Sequence, residues 1–403
     1  MQQPILTILY QFDPWSPSIG GIQTVIRSFI KYAHDEFKIR LVGIEDDPKA
    51  SIGIWREAEF EGKTIQFLPL FAVPDDNFRG LIPTTIKYTA ALLGKSFSSD
   101  FVHFHRLEPT LTSLKWPGEK TLFIHNDIHK QMTATGNKKA ILWRHFPKAY
   151  FALERKLVQQ FDQIYSCNSE SATWYRKQYP MLADRVSFLK NTVDNEIFYP
   201  LPEEKRERDR HELAQKLKIS EESRFILFAG RLHPQKDPTL LVRSLAALND
   251  ANVHLLIAGE GELRDEVQIE VNQLGLSKQV SILGPLNQNE LARLHHISDA
   301  FVLTSSYEGL PLVALEALAC GTPVVTTRCG ETPHLLSISS GVVAEERNPT
   351  AIAEAIRRVM SNLSAYPTGA CVHSAHPYAA KAVISSVYED MLSRWEQKKR
   401  VAV

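Results

Sequence analysis

The fold of this chain follows from one stretch, Ala300-Phe301-Val302-Leu303-Thr304-Ser305-Ser306-Tyr307-Glu308-Gly309-Leu310-Pro311-Leu312-Val313-Ala314-Leu315-Glu316-Ala317. Its apolar run ends near Thr304 and predicts a buried strand. Pro311 suits the first turn of a helix, and Gly321 suits its end. The stretch therefore predicts a strand, a polar loop and a helix. Glu308 is expected at the carboxyl end of the strand and Glu316 on the helix.

The same alternation extends in both directions along the chain. In the first half, strands are predicted at Ile5–Tyr10, 40–44, 64–68, 101–104, 121–125, 163–167 and 185–189. In the second half, they are predicted at 224–229, 253–258, 280–283, 300–304 and 323–326. Strands that alternate with helical stretches are typical of parallel βαβ units. We therefore predict an α/β protein with two doubly wound, Rossmann-like domains that face each other across a cleft.

A change in composition marks the boundary between these domains. Residues 199–224 begin with Tyr-Pro-Leu-Pro and continue with a run of charged residues, which is typical of a domain border. We assign residues 1–200 to the N-terminal domain and residues 201–377 to the C-terminal domain. The amphipathic tail, residues 378–403, is predicted to be a helix.

Composition excludes several classes of protein. The 403 residues contain 46 Lys and Arg against 46 Asp and Glu, and 44% are hydrophobic. These values exclude a largely disordered chain and a strongly basic nucleic-acid binder. The start of the sequence lacks the basic region of a signal peptide, and no run of about 18 apolar residues is present. We expect a cytoplasmic protein that is in addition able to lie against the cytoplasmic membrane.

A second candidate motif follows the strand at 224–229. Gly230 ends the apolar run, and Arg231 and Lys236 follow within the next six residues. Two cations at the end of a buried strand are suited to one anion, and a diphosphate is the natural candidate. Considered alone, the two charges would be a solvated surface pair.

A third motif, Gly259-Glu260-Gly261, begins like a dinucleotide fingerprint. Arg264 occupies the position of the third glycine, where close packing of helix and strand requires a small residue. This argues against NAD or FAD as a cofactor. A Walker-type Gly-x-x-x-x-Gly-Lys-Ser/Thr sequence is also absent.

The first half holds weaker candidates. Gly20 and Gly21 open a helix, where glycine lets the backbone approach a ligand. His125 ends a buried strand and is followed by Asn126 and Asp127. Residues 130–160 contain seven Lys or Arg, a single acid and several aromatic residues. From this stretch we assign Lys138, Lys139, Arg144 and Lys148 to an acceptor or membrane surface, against the alternative of a solvated helix face.

These motifs resemble those of retaining nucleotide-sugar glycosyltransferases with the GT-B fold, and more specifically glycosyltransferase family 4. The resemblance rests on the paired segments Gly230-Arg231-x4-Lys236 and Glu308-x7-Glu316, with weaker support from Gly20-Gly21 and 125–127. It implies that Arg231 and Lys236 hold the donor diphosphate and stabilise the departing nucleoside diphosphate.

The resemblance implies further roles. Residues 1–200 would bind the acceptor, residues 201–377 would bind the nucleotide sugar, and the helix at 378–403 would pack back on the N-terminal domain. Glu308 would contact the donor sugar beside the amides of Gly309 and Leu310, Glu316 would bind the ribose hydroxyls, and His125 would lie near the transferred sugar. The remaining donor-site residues it implies are Gly20, Gly21 and Gly230. It also implies that neither a metal ion nor a cofactor is needed, because the nucleotide sugar is a substrate. Thr192, Glu331 and His334 depart from the family pattern and leave the donor's identity open.

The sequence therefore predicts a metal-independent, retaining hexosyltransferase. The acceptor is expected to carry a hydroxyl, and a polyprenyl-linked glycan of cell-surface polysaccharide synthesis is the preferred choice. One alternative is a sucrose- or trehalose-type synthase or another transferase with a soluble acceptor. A second alternative is a non-catalytic GT-B scaffold. No nucleic-acid partner is expected.

Overall fold

The chain folds into two compact units. The computed structural model describes residues 3–16, 20–47, 49–73, 82–125, 143 and 146–401. The first unit comprises Met1–Asp127, Ile141–Asn191 and Ala380–Val403, and the second comprises Ile128–Ala140 and Thr192–Ala379. The change of unit after Asn191 comes earlier than the predicted boundary at 200, because Val193 and Phe198 already pack in the core of the second unit.

The first unit is built on an eight-stranded sheet. Its strands are β1 (Ile5–Leu9), β2 (Lys38–Glu45), β3 (Arg56–Phe60), β4 (Lys63–Ala72), β5 (Phe101–Phe104), β6 (Glu119–Ile124), β7 (Gln163–Ser166) and β8 (Val186–Phe188). The helices that precede the second unit are α1 (Gly21–Lys31), α2 (Thr84–Leu92), α3 (Pro147–Leu157) and α4 (Ser169–Gln178). Short 3-10 helices cover Glu108–Thr112, Val158–Gln160 and Pro180–Arg185.

The strand order of this sheet is β3-β4-β2-β1-β5-β6-β7-β8. All neighbours pair in parallel except β3, which pairs with β4 antiparallel. Strand β3 is missing from the sequence prediction. Its sequence, Arg-Glu-Ala-Glu-Phe, places charged residues on a partly solvated edge, so it lacks the apolar run that identified the other strands.

The second unit is built on a six-stranded parallel sheet of order β11-β10-β9-β12-β13-β14. The strands are β9 (Arg224–Ala229), β10 (Val253–Ala258), β11 (Val280–Gly284), β12 (Ala300–Leu303), β13 (Val324–Thr326) and β14 (Gly341–Val343). The helices are α5 (Glu203–Leu217), α6 (Pro238–Leu248), α7 (Arg264–Gln273), α8 (Gln288–Ile297), α9 (Leu312–Ala319), α10 (Thr332–Leu335), α11 (Pro349–Met360) and α12 (Thr368–Ala375). Strand β14 has only three residues and was not predicted.

Strand β9 shows why the strands of the second sheet have continuously apolar sequences. Ile226 and Phe228 pack into one hydrophobic cluster, whereas Phe225 and Leu227 pack into another. Successive side chains of a strand point to opposite faces, so both faces of this sheet are covered. The two covered faces hold the strand ends, and the loops that follow them, in fixed positions.

The C-terminal helix α13 (Ala380–Val401) belongs to the first unit. The Tyr388 hydroxyl donates to the carbonyl oxygen of Phe29 at 2.9 Å. The Trp395 indole donates to the carboxylate of Asp100 at 3.1 Å. Arg394 pairs with Glu119 at 2.7 Å, and the Glu119 side chain is only 2% exposed. These contacts hold α13 against β6 and the start of the sheet.

None of the helices in the described part of the chain combines the length and the apolar character that a membrane crossing requires.

Candidate functional site

The loop after β9 carries the two predicted cations. Gly230 has φ of +145°, a conformation that favours glycine. Arg231 is exposed and Lys236 is half-buried. Asp237 ends the loop, and its carboxylate caps α6 by accepting from the Leu240 amide at 3.1 Å. The loop is therefore fixed by a glycine at its start and by a helix cap at its end.

The loop after β12 brings Glu308 to Lys236. The Lys236 ammonium lies 2.5 Å from a carboxylate oxygen of Glu308, and the two side chains are 18% and 8% exposed. A charge pair with so little exposure is stronger than a surface pair, and each partner depends on the other for compensation. The structure thus joins the two motifs that the sequence singled out.

Hydrogen bonds join the loop after β9 to the loop after β12. The Ser306 amide donates to the Gln235 carbonyl at 2.8 Å. The Gln235 side chain donates to the Tyr307 carbonyl at 3.0 Å, and the Thr304 hydroxyl donates to the Lys236 carbonyl at 2.8 Å. The positions of Lys236 and Glu308 are therefore set by one shared backbone framework.

Arg347 extends this framework from beyond β14. Its guanidinium pairs with the Asp237 carboxylate and donates to the Thr304 carbonyl at 3.2 Å. Gln235 and Arg347 were not foreseen from the sequence. A polar residue in a loop has no periodic pattern, and Arg347 lies far along the chain from the loops that it joins.

Glu316 lies on α9 and is buried, with 6% of its surface exposed. Burial raises the pKa of its carboxyl to about 8, and the nearby charge of Lys236 opposes that rise. Its Oε2 atom has no hydrogen-bond partner in the described part of the protein. A buried carboxyl oxygen without a partner is costly unless a ligand supplies one, so Glu316 is suited to accept from hydroxyl groups.

The loop after β13 packs directly on the Glu308 loop. Gly330 has φ of +58°, and a Cβ there would lie 2.3 Å from the Gly309 carbonyl oxygen. The Glu331 amide donates to the same oxygen at 2.8 Å. Glu331 and His334, two departures from the family pattern, therefore lie in a segment that supports Gly309 and Glu308.

The glycines of the Gly259-Glu260-Gly261 loop serve a packing role. A Cβ on Gly259 would lie 2.0 Å from the Gly230 carbonyl oxygen, and one on Gly261 would lie 2.5 Å from the Leu232 carbonyl oxygen. The Leu232 amide donates to the Glu260 carbonyl at 2.9 Å. This loop approaches the backbone of the Gly230 loop, which explains its glycines without a dinucleotide.

The predicted site residues of the second unit lie in the loops after β9 and β12 and on helix α9. Lys236 and Glu308 are in contact, and Glu316 is close enough for Lys236 to affect its pKa. Gly230, Gly309 and Leu310 lie in the same two loops. Arg231 is exposed and forms no ion pair with the residues that the structure describes.

The predicted first-unit residues lie in a different environment. Gly20 is the N-cap residue of α1, as expected, and Gly21 is its first residue. His125 follows β6 and is half-buried, and its Nε2 lies 2.9 Å from Nδ1 of His105. Burial lowers the pKa of His125 to about 3, with a further contribution from the charge of Arg106. His105 was not among the predicted site residues, because a histidine near a strand end has no further pattern that marks it.

The predicted basic surface is only partly described. Lys148 is exposed in the first turn of α3, which begins at Pro147. Lys138, Lys139 and Arg144, together with Asn126 and Asp127, lie outside the described residues.

Asp13, Glu45 and Asp46 place carboxylate oxygens within 4.8 Å of one another. Arg56 pairs with Glu45 at 2.5 Å, and the Asp46 amide donates to Asp13 at 3.0 Å. Burial raises the pKa of Glu45, and the hydrogen bond with Asp13 raises that of Asp46. The group is therefore compensated by an arginine and by an amide.

The part of the chain that matches a known protein family lies in the second unit. Residues 209–367 match the family described as glycosyl transferases group 1. An uncharacterized glycosyltransferase from Methanocaldococcus jannaschii is 36% identical over 36% of this chain and 37% of its own length. D-inositol 3-phosphate glycosyltransferase 1 from Catenulispora acidiphila is 27% identical over 78% of this chain and 77% of its own length.

Some of these relatives are matched over only part of their length. The chain spans 37% of the M. jannaschii protein. It spans 51% of the D-inositol 3-phosphate glycosyltransferase from Corynebacterium glutamicum, which is 28% identical over 52% of this chain.

Solved structures show the fold. Sucrose-phosphate synthase from Thermosynechococcus elongatus superimposes with a TM-score of 0.79 at 16% identity, over 100% of both chains. HepE from Anabaena, in complex with UDP and glucose, superimposes with a TM-score of 0.72 at 17% identity, over 97% of this chain and 100% of that one. These likenesses confirm the predicted fold, with its two Rossmann-like domains.

Proposed function

We propose that this chain, which has the GT-B fold, is a group 1 glycosyltransferase that transfers a sugar from a nucleotide-diphosphate-sugar donor to a hydroxyl acceptor. The observation that carries the proposal is the Lys236–Glu308 pair, with Glu316 nearby, at the carboxyl ends of β9 and β12. Ligands of parallel α/β sheets bind at such strand ends. All three residues lie within the part of the chain that matches the family.

Each residue of this site has a chemical role in the proposal. Arg231 and Lys236 bind the donor diphosphate, since fixed cations stabilise the negative charge that develops on a leaving nucleoside diphosphate. The N-terminus of α9 adds a positive dipole end at the same loop. Glu308 binds the donor sugar beside the Gly309 and Leu310 amides, and Glu316 accepts hydrogen bonds from the ribose hydroxyls. In this proposal no metal ion is required, because the two cations and the helix N-terminus stabilise the diphosphate charge.

The reaction proposed is a transfer with retention of configuration. The bond from the anomeric carbon to the diphosphate oxygen breaks, and the acceptor oxygen bonds to the same face of that carbon. The departing diphosphate takes the proton of the acceptor hydroxyl. No enzyme nucleophile is required. We also propose that the chain belongs to glycosyltransferase family 4.

A uridine diphosphate sugar is the first donor to test, because the HepE structures with the same fold hold UDP and UDP-glucose. The purified protein is incubated with UDP-, GDP- and ADP-sugars, and released nucleoside diphosphate is measured. We expect slow hydrolysis of one donor class and a thermal shift with its nucleotide. Lys236→Met should abolish the release, whereas Lys278→Met, at an exposed lysine of the same unit, should not. No release and no thermal shift with any nucleotide would overturn the proposal in favour of a scaffold.

The acceptor proposed is a lipid-linked glycan at a membrane surface, as in cell-surface polysaccharide synthesis. Ile86, Ala90 and Leu93 follow the spacing of one helix face and are all exposed, Leu93 to 64%. Lys87 and Lys95 flank them, and residues 82–99 contain no acid. An apolar stripe bordered by lysines is suited to an anionic lipid surface.

Co-sedimentation with anionic and zwitterionic liposomes tests this acceptor proposal. We expect binding to anionic liposomes that is weakened by Ile86→Glu/Leu93→Glu and by neutralising Lys138, Lys139, Arg144 and Lys148. Ile338→Glu, at a side chain that is 85% exposed in the second unit, is the matched control. Equal sedimentation of all variants would favour a soluble acceptor. Inositol phosphate is then the first acceptor to add, because the C. acidiphila relative is named for it.

A further inference from the structure

Two histidines of the first unit form a direct pair at neighbouring strand ends. Strands β5 and β6 pair in parallel. His105 follows the first strand and His125 follows the second, and Nδ1 of His105 lies 2.9 Å from Nε2 of His125. The two ring planes differ by only 16°. This is the geometry of an in-plane hydrogen bond between imidazoles.

His105 is held in place by its surroundings. Its ring lies parallel to that of Phe123, with 4.8 Å between the centroids, and meets the edge of Tyr10 at 6.3 Å. The carbonyl oxygen of His125 accepts from the Cys167 thiol at 3.2 Å. Both partners of the hydrogen bond are therefore fixed by packing and by the backbone rather than by each other alone.

Both imidazoles are neutral near pH 7. Burial lowers the pKa of His125 to about 3, and the charge of Arg106 adds to the effect. Burial also lowers the pKa of His105 well below its usual value, and the adjacent rings of His125 and His103 contribute. In a neutral pair, one ring must donate and the other must accept.

The surroundings of His105 decide which ring donates. Its Nε2 is buried and has no hydrogen-bond partner in the described part of the chain. A proton on that atom would leave a buried N–H unpaired, and such groups are rarer in proteins than under-satisfied acceptors. The proton of His105 therefore lies on Nδ1 and points to Nε2 of His125. His125 then carries its own proton on Nδ1.

We infer that His105 is a positioning residue that holds His125 in the Nδ1-protonated tautomer, so that His125 offers an N–H donor, and not a base, to a substrate oxygen at the carboxyl end of β6. The inference rests on the proposed function for its substrate, but the tautomer itself does not. Among the described residues, the hydrogen bond recorded for the His125 ring is the one that its Nε2 forms with His105. A donor at this place fits a reaction in which the diphosphate takes the acceptor's proton.

Nitrogen-15 NMR of histidine-labelled protein tests the tautomer without any substrate. The His125 signals are assigned by their loss in His125→Phe. We expect Nδ1 protonated and Nε2 unprotonated at pH 7. His105→Phe removes the donor and should shift His125 toward the Nε2-protonated form. His105→Asn keeps a donor near the position of Nδ1 and should restore the wild-type pattern. His103→Leu removes a neighbouring buried imidazole and should leave the pattern unchanged.

Kinetics supply the second readout. His105→Phe should lower kcat/KM about tenfold, the value of one hydrogen bond, and His105→Asn should recover most of it. An Nε2-protonated His125 in the wild type, or a His125 that stays protonated on Nδ1 in His105→Phe, would overturn the inference. If the tautomer is as expected but no donor is consumed, the proposed function fails and the positioning role of His105 stands.

Discussion

The Lys236 ammonium and the Glu308 carboxylate lie 2.5 Å apart, although they belong to loops that follow different strands. The pair is nearly buried and is held by a backbone framework that includes Gln235 and Thr304. An apo site with a preformed ion pair keeps both groups in position before the substrate arrives. The pair is therefore expected to affect both the free energy of unfolding and the rate of transfer. A double variant can separate these two effects.

Lys236→Met should lower both properties. It leaves the Glu308 carboxylate buried without its cation, which we expect to cost about 3 kcal/mol of unfolding free energy. It should also lower the transfer rate by ~100-fold or more, because a fixed charge stabiliser is lost. The double variant Lys236→Met/Glu308→Gln should regain most of the melting temperature but none of the activity. A double variant with restored transfer would contradict the assignment of Lys236 to the leaving group.

Glu316→Gln should remove a pH dependence of stability. Burial raises the pKa of Glu316 from 4.5 to about 8, so the folded state binds a proton between these values that the unfolded state has lost. The wild type should therefore lose stability as the pH rises from about 5 to about 8, and the loss should stop above that range. Melting temperatures between pH 5 and pH 9 measure this. Glu204→Gln, an exposed glutamate on α5, is the control, and parallel curves for all three proteins would disprove the expectation.

Gly330→Ala should damage the site through the backbone. The residue has φ of +58°, and the new Cβ would meet the carbonyl oxygens of Gly309 and Glu308 at 2.3 and 2.6 Å. We expect a loss of at least about 2 kcal/mol of unfolding free energy and a fall in donor hydrolysis. Gly369→Ala is the matched control, since nothing lies within 4 Å of its Cβ and it lies in helix α12. Denaturant titration of both variants checks the difference; equal stability would show that the Gly330 loop relaxes freely.

Arg394→Met should loosen the C-terminal helix. The Glu119 side chain, 2% exposed, would keep only Lys398 as a partner, at 3.0 Å. We expect a loss of about 2 kcal/mol of unfolding free energy. Arg400→Met removes an arginine that is 81% exposed from the same helix and should change little. Urea unfolding curves measure both, and similar midpoints would mean that the Glu119 pair adds nothing to the stability of the first unit.

The fold could be predicted because its strands are buried on both faces. Phe225 and Ile226 pack on opposite sides of one sheet, so the strand is apolar throughout and stands out in the sequence. Strand β3 escaped prediction because it lies at an edge and alternates with charged residues. The change of unit after Asn191 was not predicted either. Val193 pairs with Ala379, and this contact joins residues that are far apart in the sequence.

The sequence by itself determined the fold class and predicted the site residues: the cations at 231 and 236, the acids at 308 and 316, and the glycines that end strands. These follow from local rules, since strand periodicity and turn chemistry act over a few residues. Only the tertiary structure decided what these residues meet. It joined Lys236 to Glu308, left one oxygen of Glu316 without a partner among the described residues, turned Gly259 toward the Gly230 loop and placed His105 beside His125. Such contacts join segments that are distant in the chain, and they depend on which strand ends become neighbours in the sheet.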